Sequence, residues 1–450
     1  MQPDPLQWGG RFAAAPDARL LAFGSSLEED GVLAPFDVTC SLAHVRALEA
    51  GGVVTPQIAA DLREALEAVG REIESGQFAA HAAASGAEDI HGAIDARVRS
   101  YCAGPSGAWL HAGRSRNDQV ATTLLLFARD RAQRGAQTCA AFARALLDRA
   151  KTELEQRTVL AAVTHWQPAQ PMLLAFWLCA CAEMMARRAR RFEEAGRAAA
   201  QWCPLGSGAV TGSTLPLGRT EAAEFLGFAA PSRNALDAIG TRDAALDVLH
   251  AVTRALTDAA RICNEIVLWS APAFGYVRLG DAASTGSSLM PQKRNPDPFE
   301  IVRATAAALT GTYAAALGSL TPLGLSYHRD LQVTKRLIVT GTQTGLAALD
   351  ACTLAFEHVE FQRDVMAARA LDGYTVATDL ADELILNGTA PRDAHAQIGK
   401  RVAQAEAAGE PLGGGDALGS VNAKRTAGST HPDAVRAAIA ALAAELERLP

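Results

Sequence analysis

One stretch of this sequence constrains the fold more than any other. Residues 118–156 contain no proline and a single glycine, Gly135. Proline and glycine are the residues that most often end a helix, so the stretch predicts one helix across its whole length. Such a helix is about three times the average of ~11–12 residues. Helices of this length are typical of bundles, in which each packs along neighbours of similar length.

Four further stretches, 172–201, 241–269, 298–320 and 330–361, also read as long helices. Within 241–269, apolar residues including Leu246, Leu249 and Val252 recur every three or four positions and trace one helix face. Hydrophobic residues make up 49% of the chain and aromatic residues only 6%. Alanine, the strongest helix former, dominates the apolar residues, and alternating strand patterns are nearly absent. The sequence therefore predicts an all-α fold with a central bundle of long helices.

Breaks between these stretches suggest three domains. We place an N-terminal helical domain at 1–113, the central bundle at 114–365 and a small C-terminal helical domain at 366–450. The last of these contains a glycine-rich linker, Pro411 to Asp416, followed by an alanine-rich helix.

Charge and cysteine content exclude several classes of protein. The chain has 49 acidic and 42 basic residues, a net charge of −7, so nothing favours a nucleic-acid partner. No apolar run reaches the ~18 residues of a membrane span, and the N-terminus lacks the pattern of a signal peptide. The eight cysteines form no C-x-x-C pair and the histidines show no metal spacing. We expect reduced thiols, no metal and a cytoplasmic protein.

One loop combines the residue types that bind an anion. It runs from Ser284 to Pro296 and holds Gly286, paired serines, Lys293 and Asn295, with a helix predicted to follow directly. A lysine, hydroxyls and an amide beside a helix N-terminus can hold a carboxylate. Taken by itself, a serine-rich segment of this kind is more often a polar surface loop.

The order of residues in this loop is more specific. Gly286-Ser-Ser-Leu-Met-Pro-Gln-Lys-Arg-Asn-Pro296 resembles G-S-S-x-M-P-x-K-x-N-P, the signature of the fumarase/aspartase superfamily. Three further segments resemble argininosuccinate lyases within that superfamily: Ala112-Gly-Arg-Ser-Arg-Asn-Asp-Gln-Val-Ala-Thr122, Glu88-Asp-Ile-His91 and Trp8-Gly-Gly-Arg-Phe12. The resemblance implies the three-domain all-α fold of that superfamily and a homotetramer whose active sites are shared between subunits.

The resemblance also implies a reaction, the elimination of fumarate from argininosuccinate to leave arginine. Ser287 matches the family's general base, and Lys293 and loop amides would have to make its hydroxyl more acidic. Lys293 and Asn295 would hold the dianionic aci-carboxylate that forms when the proton leaves. His165 matches the histidine opposite the base, where it would protonate the leaving nitrogen, and Glu300 matches its carboxylate partner. No cofactor is implied.

The remaining matches concern substrate binding. Ser115, Asn117 and Thr164 match residues that bind the succinyl carboxylates. Arg116 suits the carboxylate of the amino-acid half because its guanidinium can bind in a bidentate way, and Asp89 suits the ammonium group by charge. Tyr327 and Gln332 match contacts at that distal end, Lys335 a contact at the bridging or succinyl end, and Ser26 with Asp30 an N-terminal pair. Solvated positions on a helix face are the alternative for Lys335 and Asp30.

The sequence departs from the family pattern at several positions, among them Trp166, Pro168, Thr241 and Val333, and none of the departures removes a proposed chemical group. These changes leave the elimination better defined than the amine that is released. A related carbon–nitrogen lyase acting on another N-substituted aspartate therefore remains an alternative. A non-catalytic structural relative is a second alternative, because a fold does not fix a function.

Overall fold

The computed structural model describes residues 17–102 and 104–449, so the Trp8–Phe12 match lies outside the described residues. Most of the described chain is helical. The α-helices are α1 (Ala18–Gly24), α2 (Ala34–Ala50), α3 (Pro56–Glu74), α4 (Phe78–Ala84), α5 (Ile90–Tyr101), α6 (Arg116–Glu155), α7 (Leu174–Ala199), α8 (Arg219–Phe225), α9 (Ala235–Gly240), α10 (Asp243–Ser270), α11 (Asp297–Gly318), α12 (Leu331–Glu357), α13 (Arg363–Arg369), α14 (Ala377–Leu386), α15 (Pro391–Ala408), α16 (Ala417–Ala423) and α17 (Pro432–Leu446).

Strands are short and pair two by two. They are β1 (Val159–Thr164), β2 (Gln167–Leu173), β3 (Trp202–Cys203), β4 (Ala230–Pro231), β5 (Val277–Leu279) and β6 (Val359–Phe361). The pairs β1–β2 and β5–β6 are antiparallel, and β3–β4 is parallel. The predicted all-α class is confirmed, since these strands form nothing larger than a two-stranded sheet in the described residues.

The five long helices predicted from the sequence correspond to α6, α7, α10, α11 and α12, with ends within four residues of those expected. The longest, α6, has 40 residues. Segment 53–77 differs from its sequence pattern, which predicts short amphipathic helices, because it forms the single 19-residue helix α3. Thr55 caps α3 by accepting a hydrogen bond from the backbone N–H of Ile58, and Pro56 occupies its first turn.

The chain divides into two compact units. The first unit takes the described residues up to Arg134 together with Phe192–Val252 and Leu309–Gln343, and the second takes Gly135–Arg191, Thr253–Ala308 and the described residues from Thr344 onward. This division follows spatial contacts and does not test the three sequence domains, which remain a prediction. None of the helices described here is long and apolar enough to cross a lipid bilayer.

The core of the first unit is built mainly from alanine and leucine. Leu48, Leu62, Leu66 and Val69 are fully buried where α2 and α3 meet, with Ile94 of α5 beside them. In the second unit the aromatic rings of Trp177 and Trp269 lie 4.6 Å apart. The first of these cores includes Ile90, so it holds the start of α5 and with it the candidate site residue Asp89.

Candidate active site

The first unit holds nine of the predicted substrate-binding residues: Ser26, Asp30, Asp89, Ser115, Arg116, Asn117, Tyr327, Gln332 and Lys335. The Oδ2 atom of Asp30 accepts hydrogen bonds from Nζ of Lys335 and from Oγ of Ser26, both at 2.6 Å. Lys335 and Asp30 are 4% and 2% exposed, which excludes the solvated helix face that was the alternative for them. Gln332, one turn before Lys335 on α12, donates to the backbone carbonyl of Gly24 at 3.0 Å. The start of α12 is thereby tied to the segment around Ser26.

A second ion pair lies in the same unit at the start of α5. Asp89 caps this helix by accepting a hydrogen bond from the N–H of Gly92 at 2.7 Å, and its Oδ2 lies 3.2 Å from Nε of Arg116. Burial opposes the ionisation of Asp89, but the charges of His91 and Arg116 and the Gly92 N–H hold the pKa of Asp89 below its usual range. The carboxylate is therefore charged at neutral pH and already aligned with a guanidinium.

Tyr327 lies within the electrostatic influence of Asp89. Burial raises the pKa of its hydroxyl, and the charges of Arg329 and Arg242 act in the opposite direction while those of Asp89 and Glu88 add to the rise. Arg329 also bonds to Glu88 at 3.2 Å. The hydroxyl stays protonated at neutral pH and can donate as well as accept a hydrogen bond.

Ser115 and Asn117 lie at the start of α6, where Asp118 organises the backbone. The Oδ1 atom of Asp118 accepts from the N–H of Ser115 at 3.0 Å, and its Oδ2 accepts from the N–H groups of Gly206 and Gly208 at 3.0 and 2.8 Å. Asn117 donates its side-chain amide to the carbonyl of Ala209 at 2.9 Å. A single buried carboxylate thus joins the Ser115–Asn117 turn to the loop that follows Cys203.

The second unit carries the predicted acid–base residues. The Oγ atom of Ser287 accepts hydrogen bonds from the backbone N–H groups of Leu289 and Met290, at 3.2 and 3.0 Å. Asn295 closes this loop, because its backbone N–H donates to the carbonyl of Thr285 and the Thr285 N–H donates back. Lys293 is exposed on the same loop and has no ion-pair partner in the described part of the chain.

Thr164 and His165 lie at the tip of the β1–β2 hairpin, which sequence reasoning did not predict. His165 and Trp166 form its two-residue turn, with φ angles of 54° and 59°. Positive φ at both turn positions matches the right-handed twist of paired strands but is uncommon for residues other than glycine, asparagine and aspartate. The hairpin thereby places the imidazole of His165 in solvent, beyond the ends of both strands.

Glu300, the predicted partner of His165, contacts a different residue. Glu300 lies in the first turn of α11, exposed, and its Oε1 is 3.6 Å from Nη2 of Arg303. Among residues 17–102 and 104–449, no hydrogen bond or ion pair joins His165 to Glu300, Ser287 or Lys293. The described residues also hold no group of three His, Cys, Asp or Glu side chains that could bind a metal.

Four of the departures from the family pattern occupy supporting positions. Trp166 lines a cavity of about 320 Å³ that also includes Trp177 and Trp269. Pro168 packs on the backbone of Gly373, where an added Cβ would lie only 3.0 Å from the proline Cβ. Thr241 accepts a hydrogen bond from the N–H of Asp243 at the start of α10, at 3.3 Å, and Val333 is 44% exposed.

Comparisons with known proteins give the family. A family profile described as "Lyase" matches residues 10–311 of this chain. The argininosuccinate lyase of Hyphomonas neptunium is 41% identical over 409 residues, which are 90% of this chain and 86% of that protein. The argininosuccinate lyase of a Synechococcus species is 40% identical over 399 residues, covering 88% of this chain and 80% of that protein.

Solved structures agree on the fold. An EDDS lyase crystallised with formate superposes with a TM-score of 0.80 at 25% identity, over 95% of this chain and 88% of that one. A fumarate lyase from Mesorhizobium sp. BNC1 superposes with a TM-score of 0.72 at 16% identity, over 97% of this chain and 99% of that one, which shows the shared fold alone. Together with the sequence matches, these similarities show that the chain belongs to the argininosuccinate lyase family of carbon–nitrogen lyases.

Proposed function

We propose that this lyase cleaves argininosuccinate to arginine and fumarate by an anti elimination in which Ser287 is the general base. Relatives named argininosuccinate lyase, 36–41% identical over most of the chain, support the substrate. The observation that carries the role of Ser287 is the pair of backbone N–H groups directed at its Oγ. Hydrogen-bond donors of this kind stabilise an alkoxide more than a neutral hydroxyl and so favour the basic form.

The proposed steps balance protons and charge. The Ser287 oxygen takes a proton from the succinyl carbon next to a carboxylate, and the electron pair of that C–H bond moves onto the carboxylate to give a dianion. Lys293 and Asn295 hold this dianion through an ammonium charge and amide donors. The dianion then collapses to the double bond of fumarate, the C–N bond breaks, and the electrons of that bond leave with the guanidinium nitrogen of arginine.

His165 protonates the leaving nitrogen on the opposite face. Because no contact joins His165 to Glu300 within the described residues of one chain, Glu300 would hold the imidazole in the required tautomer across the subunits of a shared site. Ser115, Asn117 and Thr164 bind the succinyl carboxylates, and Lys335 contacts the bridging or succinyl end near Ser26. These steps use proton transfers and charge stabilisation by side chains, so we propose that the reaction needs no cofactor.

The ion pair between Asp89 and Arg116 supports binding of an amino-acid end group. An α-carboxylate carries one negative charge and an α-ammonium one positive charge, so such a group can insert between Arg116 and Asp89 without changing the net charge of the site. Arg116 then exchanges the carboxylate of Asp89 for that of the substrate, and Asp89 exchanges the guanidinium for the substrate's ammonium group. Neither buried charge is left unpaired. Tyr327 and Gln332 would complete this distal subsite.

We propose a homotetramer with active sites shared between subunits. In α11, Ile301 is 64% exposed and Leu317 is 44% exposed, and Ala304, Gly311 and Ala315 are also exposed. A long helix with apolar residues on solvent-facing positions normally packs against another chain. Lys293 and His165 are exposed and Ser287 is half-buried, which fits a site that other subunits complete.

A cytoplasmic location is part of the proposal. All eight cysteines are free thiols and seven of them are buried. The Sγ atoms of Cys263 and Cys352 lie 3.5 Å apart without forming a disulfide. Free thiols this close together are typical of a reducing compartment.

The experiment is a spectrophotometric assay of fumarate release from argininosuccinate by the purified protein. Ser287→Ala should lower kcat at least about 10³-fold, because no other group on the loop is placed to take the proton. The matched control is Ser284→Ala on the same loop, whose Oγ donates to the carbonyl of Gly280 at 3.0 Å and accepts from Nη2 of Arg294 at 3.5 Å. This control should keep kcat within about threefold.

The outcomes separate the alternatives. Near-normal turnover by Ser287→Ala would remove that serine from the role of base while leaving the substrate in place. No fumarate from argininosuccinate, but addition of another amine to fumarate in reverse, would identify a lyase for a different N-substituted aspartate. No reaction in either direction would indicate the non-catalytic relative.

Shared sites make a further test possible. The inactive variants Ser287→Ala and His165→Asn, when unfolded together and reassembled, should regain activity, because some mixed sites receive both intact residues from different subunits. Absence of any regained activity, with tetramers present by light scattering, would contradict shared sites.

A further inference from the structure

A fully buried carboxylate in the first unit takes no part in the proposed chemistry. Asp37, on α2, has no solvent-exposed surface. Its Oδ1 accepts hydrogen bonds from Nδ1 of His91 at 2.9 Å, from Nε2 of Gln119 at 2.8 Å and from Oγ1 of Thr123 at 3.3 Å. A charge in such a place is costly unless neighbours compensate for it, so its contacts indicate what it organises.

Gln119 connects this carboxylate to the proposed substrate site. It is 1% exposed and lies on α6 three residues after Arg116, on the same helix face. Its Nε2 donates to Asp37, and its Oε1 accepts a hydrogen bond from Nη1 of Arg116 at 2.7 Å. An ionised carboxylate only accepts and a guanidinium only donates, so the amide fits between them in one orientation.

Asp37 is ionised at neutral pH. Burial opposes its ionisation, but the charge and hydrogen bond of His91, the charge of Arg114 and the amide of Gln119 hold the pKa of Asp37 well below its usual range. The orientation of the Gln119 amide is therefore fixed by a permanent charge in the core.

The guanidinium of Arg116 is held at two edges. Gln119 takes Nη1, and Asp89 lies 3.2 Å from Nε. An incoming ammonium group would compete for Asp89, which also caps α5. Gln119 cannot be drawn away in the same manner, because its other end is bound to the buried carboxylate.

We propose that Gln119 is a positioning residue for recognition of the amino-acid carboxylate: anchored on buried Asp37, its amide oxygen holds the guanidinium of Arg116 in the orientation that binds that carboxylate. The inference rests on the proposed function in one respect, the assignment of the carboxylate to Arg116. Neither Gln119 nor Asp37 contacts the substrate itself.

The test uses two inhibitors that differ by the carboxylate. L-Arginine carries it, and agmatine has the same guanidinium chain and amine without it. The readout is the ratio of the two inhibition constants, agmatine over arginine, in the fumarate assay. Gln119→Met keeps the length of the side chain and removes both hydrogen bonds. It should lower this ratio about tenfold while kcat at saturating argininosuccinate stays within about threefold.

Two variants calibrate this readout. Arg116→Leu gives the ratio expected when carboxylate recognition is lost altogether. In the double variant Asp37→Asn/Gln119→Glu, the new amide at position 37 can donate to the new carboxylate at position 119, which still accepts from Arg116. The negative charge moves from position 37 to position 119, while the hydrogen bond between these two side chains and the one from Arg116 remain, so the ratio should return to within about threefold of the parent value.

General damage to the fold would raise both inhibition constants together and leave the ratio unchanged, so an unchanged ratio in Gln119→Met overturns the proposal. The proposal is also overturned if the ratio in Asp37→Asn/Gln119→Glu stays as low as that in Arg116→Leu. If Gln119→Met does not fold, the double variant alone decides the test. If the parent enzyme releases fumarate but binds arginine no more tightly than agmatine, Arg116 does not read the carboxylate. The proposal for Gln119 then fails while argininosuccinate cleavage stands.

Discussion

The pair formed by Lys335 and Asp30 allows a prediction that separates stability from catalysis. Their side chains are 5% and 3% exposed and their charged atoms lie 2.6 Å apart. At that distance the attraction is about 6 kcal/mol for an effective dielectric constant of about 20. Desolvation of both ions offsets much of it. We expect Lys335→Met to lower the free energy of unfolding by about 3 kcal/mol, because Asp30 then keeps only the Ser26 hydroxyl in a buried place.

The second variant in this experiment is Lys335→Met/Asp30→Leu. Removing both charges leaves no buried ion without a partner, so most of the lost stability should return. Activity should not return, since the proposed contact of Lys335 with the substrate is absent from both variants. The free energy of unfolding is measured by urea titration followed by circular dichroism, and activity by fumarate release.

Two results would refute this reasoning. A loss below about 1 kcal/mol in Lys335→Met would mean that the pair is solvated and worth no more than a surface ion pair. Recovery of activity together with stability in the double variant would mean that Lys335 acts only through the fold.

Two further predictions follow from residues in contrasting surroundings. Lys293→Met should leave the urea midpoint unchanged, since this lysine is exposed and has no ion-pair partner among the described residues. The same variant should lower kcat at least about 100-fold, and a normal kcat would mean that Lys293 does not hold the dianion. Burial, with the charge of Arg114 adding to it, lowers the pKa of His44 well below its usual range, so the folded state keeps this residue neutral while the unfolded state takes up a proton below about pH 6.5. As the pH falls from 6 to 5, the free energy of unfolding of the parent protein should therefore fall by up to about 1.4 kcal/mol through His44. In His44→Gln, urea titrations at each pH should show a correspondingly weaker dependence of the free energy of unfolding on pH. The same dependence in both proteins would contradict the assignment.

The long helices could be predicted because their signal is local. Helix α6 covers nearly the same residues as the interval without proline at 118–156, and α10 nearly the same residues as the regular apolar face of 241–269. The motif residues lie on loops and near the starts of helices. Both kinds of information are contained in short segments of the sequence.

Three features could not be predicted in that way. The β1–β2 hairpin turns through His165 and Trp166, without the Asn-Gly or Asp-Gly pair that usually marks such a turn, and Pro168 and Pro171 interrupt the strand pattern. The pair of Asp30 and Lys335 joins residues 305 positions apart, so its burial depends on the tertiary fold. The Asp37–Gln119 contact was missed for the same reason, although the spacing of Arg116 and Gln119 on α6 is a local signal that was available.

The turn at the tip of the hairpin has a consequence for engineering this enzyme. Two non-glycine residues held at positive φ cost about 1–3 kcal/mol each, so replacing them with Asn-Gly is the change that a search for stabilising substitutions would choose early. The same change removes the imidazole proposed to protonate the leaving nitrogen. Selection by melting temperature alone would therefore accumulate inactive proteins at positions 165 and 166, and a thermostable form of this lyase must gain its stability elsewhere.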